Sequence, residues 1–467
     1  MNLQEKAKWI FDVRFWILIL FLVRLENIDL PPLDEHAWRQ SITLGVARDY
    51  MEVDATFWEP RTINCDSRGG IIAQEFPFFN YCVAGMWTIF GAHNWCFRLF
   101  NLLVASLGLY YFSRLSQRLI GSRAALYATV IFGVSVAFVY ARKAMPDVFA
   151  VSLLLMGVNA GWKYIEKPKV TALLAFFLLT TLGLLCKMPA ACVLALLVPT
   201  VFHAQVPLVV KGRLMGAGAL SVAIMGAWYF IWVPWAERVY GFPLFYPVSL
   251  MKGWQELVTV KHYALERFYA IALTSRIAFA LCLVGLIMMV VKKQWPLLMS
   301  FLASSVVLFF FMLKAGSVFA VHEYYIIPYV PMMSLLAGYG LFTAIRSEYL
   351  QMLILIIVVS EAIYRHKPDF FISWEAQRFL KLEKITDQYV PKNAKILVSS
   401  VSPTMLYFTH RRGWLMEGPM KDTTWFNGEA TVGLHYAVIE RIKYQDSLPY
   451  PKIFEDNDFR IFKIKKD

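Results

Sequence analysis

Eleven apolar stretches, joined by short connections, constrain this chain more than any other feature of it. They fall at about 15–27, 95–115, 124–141, 148–163, 170–186, 188–203, 214–234, 271–291, 296–313, 324–345 and 348–364. A bilayer core is crossed by roughly 17–25 apolar residues in a helix, which satisfies its own backbone polar groups. The expectation is therefore a polytopic α-helical membrane protein with about 11 transmembrane helices. Composition agrees: 58% of residues are hydrophobic, only 17% are charged, and the mean hydropathy is +0.51. Soluble chains carry about 25% charged residues. The basic start, Met1–Lys8, precedes an apolar run without a small-residue cleavage site, so it reads as a retained anchor.

The net charge of +13 does not point to nucleic acid, because the cations cluster between apolar runs instead of forming one solvated face. Lys6 and Lys8 open the chain. Arg114, Arg118 and Arg123 come next, followed by Lys163, Lys167 and Lys169. Lys211 and Arg213, Lys292 and Lys293, and Arg346 complete the series. Every second connection is basic, and under the positive-inside rule these connections are cytoplasmic. The N-terminus is then inside and the C-terminus outside. This register leaves two long external loops, about 26–94 and 235–270. From Glu26 to Glu75 the first carries ten Asp or Glu against four Arg, an excess that topology does not explain.

Within the first loop, Leu33–Tyr50 places Trp38, Ile42, Gly45 and Val46 on one face, which predicts an amphipathic helix on the membrane surface, with Asp34 as its cap. Phe76–Gly91 is apolar, aromatic and short, and reads as interfacial. Residues 1–364 form the expected membrane domain and 365–467 a small extracytoplasmic α/β domain. In the latter, "NAKILVSS" and "GLHYAVIE" read as strands. "SPTMLYFTH" reads as a helix opened by Ser402 and Pro403, and "KIFEDNDFRIFKIKK" as a hairpin turning at Asp456–Asp458. The six cysteines, with Cys65 alone in a polar loop, give no disulfide framework and read as free thiols.

Three carboxylates from separate segments lie at one expected membrane depth: Asp34 in "PPLDEHAWRQ", Glu75 in "QEFP" and Asp147 in "RKAMPD". Ionisable residues at such depth are functional candidates by default. Glu35 stands beside Asp34 as a second candidate. Lys187, His262, Arg267 and "HEYYIIP" (His322, Tyr324, Tyr325) are expected on the same side. The Arg and Lys side chains suit a phosphate, although snorkelling to lipid headgroups explains each of them equally well. Glu and His together suit a divalent ion, yet no close ligand spacing such as HExxH is present. Neither GxxxxGK[ST] nor GxGxxG after a strand occurs, so no nucleotide site is visible, and no GxSxG elbow is present.

These residues resemble the integral-membrane glycosyltransferases of fold type C, and among them the bacterial relatives of dolichyl-phosphate-mannose–protein mannosyltransferases, which include the lipid A aminoarabinose transferase. "DEHAWRQ" and "ARDY", "EFPFFNYCVAGMWTIFGAHNWCFRLFN", "RKAMPDVFA", "LLCKMPA", "HEYYIIPYVPMMSLLAGYG" and "PKNAKILVSSVSPTMLYFTHRRGW" carry the resemblance in order, over nearly the whole chain. It implies hexosyl or pentosyl transfer from a polyprenyl-phosphate donor to a lipid, glycan or protein acceptor. The place would be the external face of a bacterial inner membrane, among membrane lipids. By position, Asp34, with Glu35 behind it, and Asp147 match the catalytic acids, and Glu75 with His262 matches a divalent-ion pair. The aminoarabinose enzyme has lysine directly after the closing glutamate, and here Phe76 stands there. Phosphate binding then rests on Arg39, Arg61, Arg142, Lys187, Arg267, His322, Tyr324 and Tyr325. The alternative readings are a transporter or flippase for a lipid-linked or anionic solute, and a non-catalytic assembly subunit. The candidate acids cluster at one face and no internal repeat is found, and both facts favour the enzyme.

Overall fold

The computed structural model describes residues 8–66, 68–242, 247–417, 423–444 and 447–464. Lys6, counted above among the opening cations, lies outside them, as do Lys465 and Lys466 at the end of the expected hairpin. The chain divides into two compact units. A helical unit holds the described residues of 8–28, 97–231 and 247–370, and a mixed unit holds those of 29–96, 232–242 and 371–464.

Each of the eleven apolar stretches is helical. Among the described residues six helices are long and apolar enough to cross a membrane: Asn94–Ile120, Pro146–Glu166, Leu208–Tyr240, Trp295–Ala315, Glu323–Ala344 and Glu348–Phe370. Lys261–Ala272 and Arg276–Val291 form a bent pair, broken by 97°. Val13–Val23, Ser122–Val134, Val170–Cys186 and Met188–Val201 are shorter. Met188–Leu197 is a 3-10 helix of 10 residues. At about 2.0 Å of rise per residue against 1.5 Å for an α-helix, it reaches further than its length suggests. Two segments are π-helical, Trp228–Trp232 and Arg267–Ala272.

The mixed unit contains a five-stranded sheet of β1 (Lys395–Val398), β2 (Arg412–Leu415), β3 (Leu434–Glu440), β4 (Lys452–Glu455) and β5 (Phe459–Lys463), ordered β2-β1-β3-β5-β4. β2, β1 and β3 run parallel, while β3–β5 and β4–β5 are antiparallel. The helix Pro403–Phe408 links β1 to β2, with Ser402 accepting from the Thr404 amide. Asp456 takes both the Asp458 and Phe459 amides on Oδ1, which closes the terminal hairpin. Leu397, Trp414, Phe426, Ala437 and Phe462 lie in the sheet's core. The two strands, the helix and the hairpin lie where the sequence puts them. β2 and the helix Thr423–Thr431 were not expected.

Three expectations need correction. First, residues 29–96, expected within the membrane domain, belong to the mixed unit. The Cys65 and Asp66 amides donate to Gly413 O, and the Gly413 amide donates to Ile63 O, so the first loop pairs with β2. A Cβ at Gly413, which has φ of +152°, would stand 1.9 Å from Ile396 O, so only glycine fits between β1 and this added backbone. Second, Ala37–Glu52 is not half-exposed as an amphipathic surface helix would be. Arg39 through Ala47, Asp49 and Tyr50 are all buried, packed on the helices Phe78–Phe90 and Pro403–Phe408. Its polar residues are tolerated because each has a partner: Arg48 donates to Tyr407 O, and Asn80 donates to Thr43 O. Third, Asp34 is not the cap of that helix. His36 holds the cap position with φ of 60°. The boundary also moves: helix Glu348–His366 continues into Lys367–Phe370, so the helical unit ends after Phe370 and not at 364.

Candidate functional site

In the mixed unit, the left-handed His36 turns the chain sharply after Pro31–Pro32 and sets the first turn of Ala37–Glu52 against the segment before it. Two consecutive side chains of that turn then reach two acids. Gln40 Nε2 donates to Asp34 Oδ1 at 2.6 Å and to Glu35 O at 3.3 Å. Arg39 Nη2 donates to both oxygens of Glu75, at 2.8 and 2.9 Å. Asp34 is 7% exposed and Arg39 5%. One helical turn thus fixes both candidate acids of the first loop, with the ion pair providing the stronger, charge-assisted bonds. Glu35 is different. Its side chain is 62% exposed and stands 3.8 Å from His36 Nε2, turned to solvent. Arg61 is bound by Asp54 at 2.8 Å and Glu59 at 3.0 Å, so its charge is already matched within the loop.

The helical unit builds a second cluster from three chain breaks. Pro146 starts the helix Pro146–Glu166, and Asp147 occupies its first turn, where a carboxylate suits the positive end of the helix. Lys187 is extended, between the end of Val170–Cys186 and the 3-10 turn carrying Pro189. Its Nζ lies 3.3 Å from Asp147 Oδ1. The rings of Tyr324 and Tyr325 lie 5.7 and 5.8 Å from the same Nζ. His322 stacks on Tyr324 at 5.0 Å. Arg267, on the π-helical segment, donates to Ala320 O and to Glu323 at 3.2 Å. Asp147, Lys187, His322, Tyr324 and Tyr325 are therefore one constellation, with Arg267 holding its flank. Arg142 donates to Asn27 O at 2.6 Å and covers the Phe370 ring.

Four buried cations escaped the sequence reading as site residues. Arg98 donates to Arg142 O, Lys143 pairs with Asp369 at 3.0 Å, and Arg24 donates to Gly133 O and covers the Phe138 ring. Arg411, in the mixed unit, pairs with Asp387. Arg24 and Arg98 carried a usable signal, since each is a charge inside or at the end of an apolar run.

For a metal, the donor set is thin. Glu75 is held by Arg39, His262 is exposed on the short helix Lys261–Glu266, and the described residues contain no group of three or more His, Cys, Asp or Glu able to hold an ion.

Among the perturbed titratable groups of the mixed unit are His410 and Asp49. His410 Nδ1 lies 2.7 Å from Glu383 and its Nε2 2.9 Å from Glu52, and these two carboxylates raise its pKa while theirs fall. Burial pushes Asp49 up to about 6, against the pull of Arg412 and Arg48.

Residues 74–232, about a third of the chain, match the family described as dolichyl-phosphate-mannose-protein mannosyltransferase. No curated protein matches the sequence. Among solved structures, ArnT from Cupriavidus metallidurans bound to undecaprenyl phosphate is similar with a TM-score of 0.65 and 12% identity, over 98% of each chain. The oligosaccharyltransferase of Archaeoglobus fulgidus in the apo form is similar at 0.57 and 10%, over 92% of this chain and 69% of that one. AglB of the same organism, in complex with an inhibitory peptide and a dolichol-phosphate, gives 0.53 and 12%, over 94% and 70%. At these identities the likeness is one of fold.

Proposed function

We propose, from the premise that this chain has the type-C glycosyltransferase fold and is related to the protein mannosyltransferases and ArnT, that it transfers a sugar from a polyprenyl-phosphate donor. The acceptor in this reading is a hydroxyl of an envelope lipid, glycan or protein, at the external face of a bacterial inner membrane. The observation that carries it is the buried Lys187 ammonium set between Asp147 and two tyrosine rings, a cation kept at membrane depth in a fold whose relative binds undecaprenyl phosphate. Such a charge is expensive to maintain in an apolar helix bundle without a task.

The reaction breaks the bond between the anomeric carbon and the phosphate oxygen, whose electron pair leaves with polyprenyl phosphate. A phosphate monoester has its second pKa near ~6, so the leaving group is stable as a dianion and needs charge matching more than a proton. Lys187 supplies that match, Asp147 orients the ammonium, and the Tyr324 and Tyr325 rings stand beside it. The acceptor hydroxyl must lose its proton as its oxygen bonds the anomeric carbon. Asp34 takes it, with Gln40 holding its carboxylate through Oδ1. Glu75 holds Arg39 in place. A single in-line displacement inverts the anomeric configuration.

The test is a donor screen. Purified protein in bilayers is given a mixed pool of polyprenyl-phosphate sugars, and free polyprenyl phosphate is followed by mass spectrometry. Release with at least one donor is expected. Movement of intact lipid-linked sugar across the bilayer, without release, would replace this reading by the flippase.

A further inference from the structure

The helix Pro146–Glu166 has Asp147 in its first turn and a cavity of about 450 Å³ at its other end. Along the helix the cavity's lining runs from Met156 to Glu166, roughly 13–29 Å from Asp147 at 1.5 Å of rise per residue, with the lysines at the far end. The cavity therefore belongs to a different membrane level from the proposed phosphate cluster, and the function above makes no use of it. Its size is that of a ligand site.

Its walls combine two chemistries. Lys163, Lys167 and Lys169 stand on one side, on the last turn of Pro146–Glu166 and the short link to Val170–Cys186. None of the three has a carboxylate partner among the described residues, and Lys163 Nζ lies 5.9 Å from the Tyr111 ring. The one acid on the wall, Glu166, is taken by Arg118, at 2.6 Å on Oε1 and 3.3 Å on Oε2. Arg118 also donates to Asn159. Three positive charges thus remain on the wall. The other side is apolar, with Ala172, Ala175 and Leu179 spaced along one face of Val170–Cys186. On the outward face of that helix, Val170, Leu174 and Leu178 are 70%, 52% and 56% exposed, at i, i+4 and i+8. An apolar stripe so exposed on a membrane helix faces lipid, so the cavity borders the bilayer.

We propose that this cavity binds one molecule of an anionic phospholipid. Its phosphodiester sits on Lys163, Lys167 and Lys169, and the first part of an acyl chain lies along Ala172, Ala175 and Leu179. A zwitterionic lipid would place a compensating ammonium among three lysines, and a free phosphate would leave the apolar wall uncovered. Basic pockets between transmembrane helices recognise anionic headgroups by this logic.

The experiment uses the full-length protein in mild detergent, with bound lipid counted by native mass spectrometry. Phosphatidylglycerol and phosphatidylcholine of equal chain length are titrated in competition, with and without inorganic phosphate. Wild type is expected to retain phosphatidylglycerol on the order of tenfold better. Lys163→Gln, Lys167→Gln and Lys169→Gln together should bring that ratio close to one. Ala175→Trp, which fills the apolar wall and leaves the charges, should lower phosphatidylglycerol retention on its own, and it decides the matter if the triple variant does not fold. An unchanged ratio in the triple variant overturns the proposal. So does full displacement by inorganic phosphate with no effect of Ala175→Trp, which would make the cavity a simple anion site.

Discussion

The two units handle charge in opposite ways. In the helical unit Arg24, Arg98, Arg142, Lys143 and Lys187 are each under 9% exposed; the arginines donate to backbone carbonyls, and Lys143 and Lys187 each meet a carboxylate away from water. In the mixed unit, outside the first turn of Ala37–Glu52, the ion pairs are largely side chain to side chain and partly in water. His410 joins Glu52 to Glu383, and Lys381 joins Asp456 to Asp458. Removing one partner of a buried pair costs about 3–5 kcal/mol, whereas an exposed pair contributes roughly 0–1 kcal/mol. A buried cation in a helix bundle is thus fixed by what it holds. The half-exposed pairs of the mixed unit are free to respond to pH and salt.

The comparison can be broken in several places. Lys143→Met removes the partner of Asp369 and should destabilise the protein by about 3 kcal/mol or more. Chemical denaturation in detergent reads this, and a cost below about 1 kcal/mol would erase the distinction between the units. Lys187→Gln keeps a polar side chain beside Asp147 but loses the charge. It should cut turnover by about 10²-fold while leaving acceptor KM nearly unchanged, as steady-state kinetics with a donor from the screen would measure.

His410→Gln sharpens the comparison from the other side. The raised histidine pKa gives stability that is fully present below its unfolded value near ~6.5 and lost as pH rises through the folded value. The lowered Glu52 and Glu383 values give stability present above their unfolded values and lost as pH falls through the folded ones. The variant should therefore melt below wild type near pH 6 and together with it at pH 9. A gap equally large at both values would remove the ionic account of this contact. Lys381→Ala is the smallest, at under about 1 kcal/mol, and should shrink further in high salt.

The long apolar runs and the strands around Lys395–Val398 and Leu434–Glu440 were legible because burial writes a periodic or continuous pattern into local sequence. The first loop's attachment to β2 was not, since Ile63 and Gly413 are far apart in the chain and neither carries a local sign of the other. Nor was the burial of Ala37–Glu52: four apolar positions mark one face, and the remaining faces are covered through partners such as Glu75 for Arg39 and Arg412 for Asp49. At the candidate sites, Asp147 with Lys187 and the "HEYYIIP" tyrosines came together as a charge-and-aromatic set. Gln40, which fixes Asp34, was passed over because an amide has no distinctive pattern.

The central claim is that a carboxylate at Asp34 removes the acceptor's proton while a polyprenyl phosphate departs. Its most direct measurement is the single-turnover rate of polyprenyl-phosphate release by Asp34→Asn against wild type, using a donor found by the screen, with both proteins shown to melt alike. The account predicts a rate lower by about 10²–10⁴-fold, because asparagine keeps the contact with Gln40 but accepts no proton. Equal rates in the two proteins would contradict it.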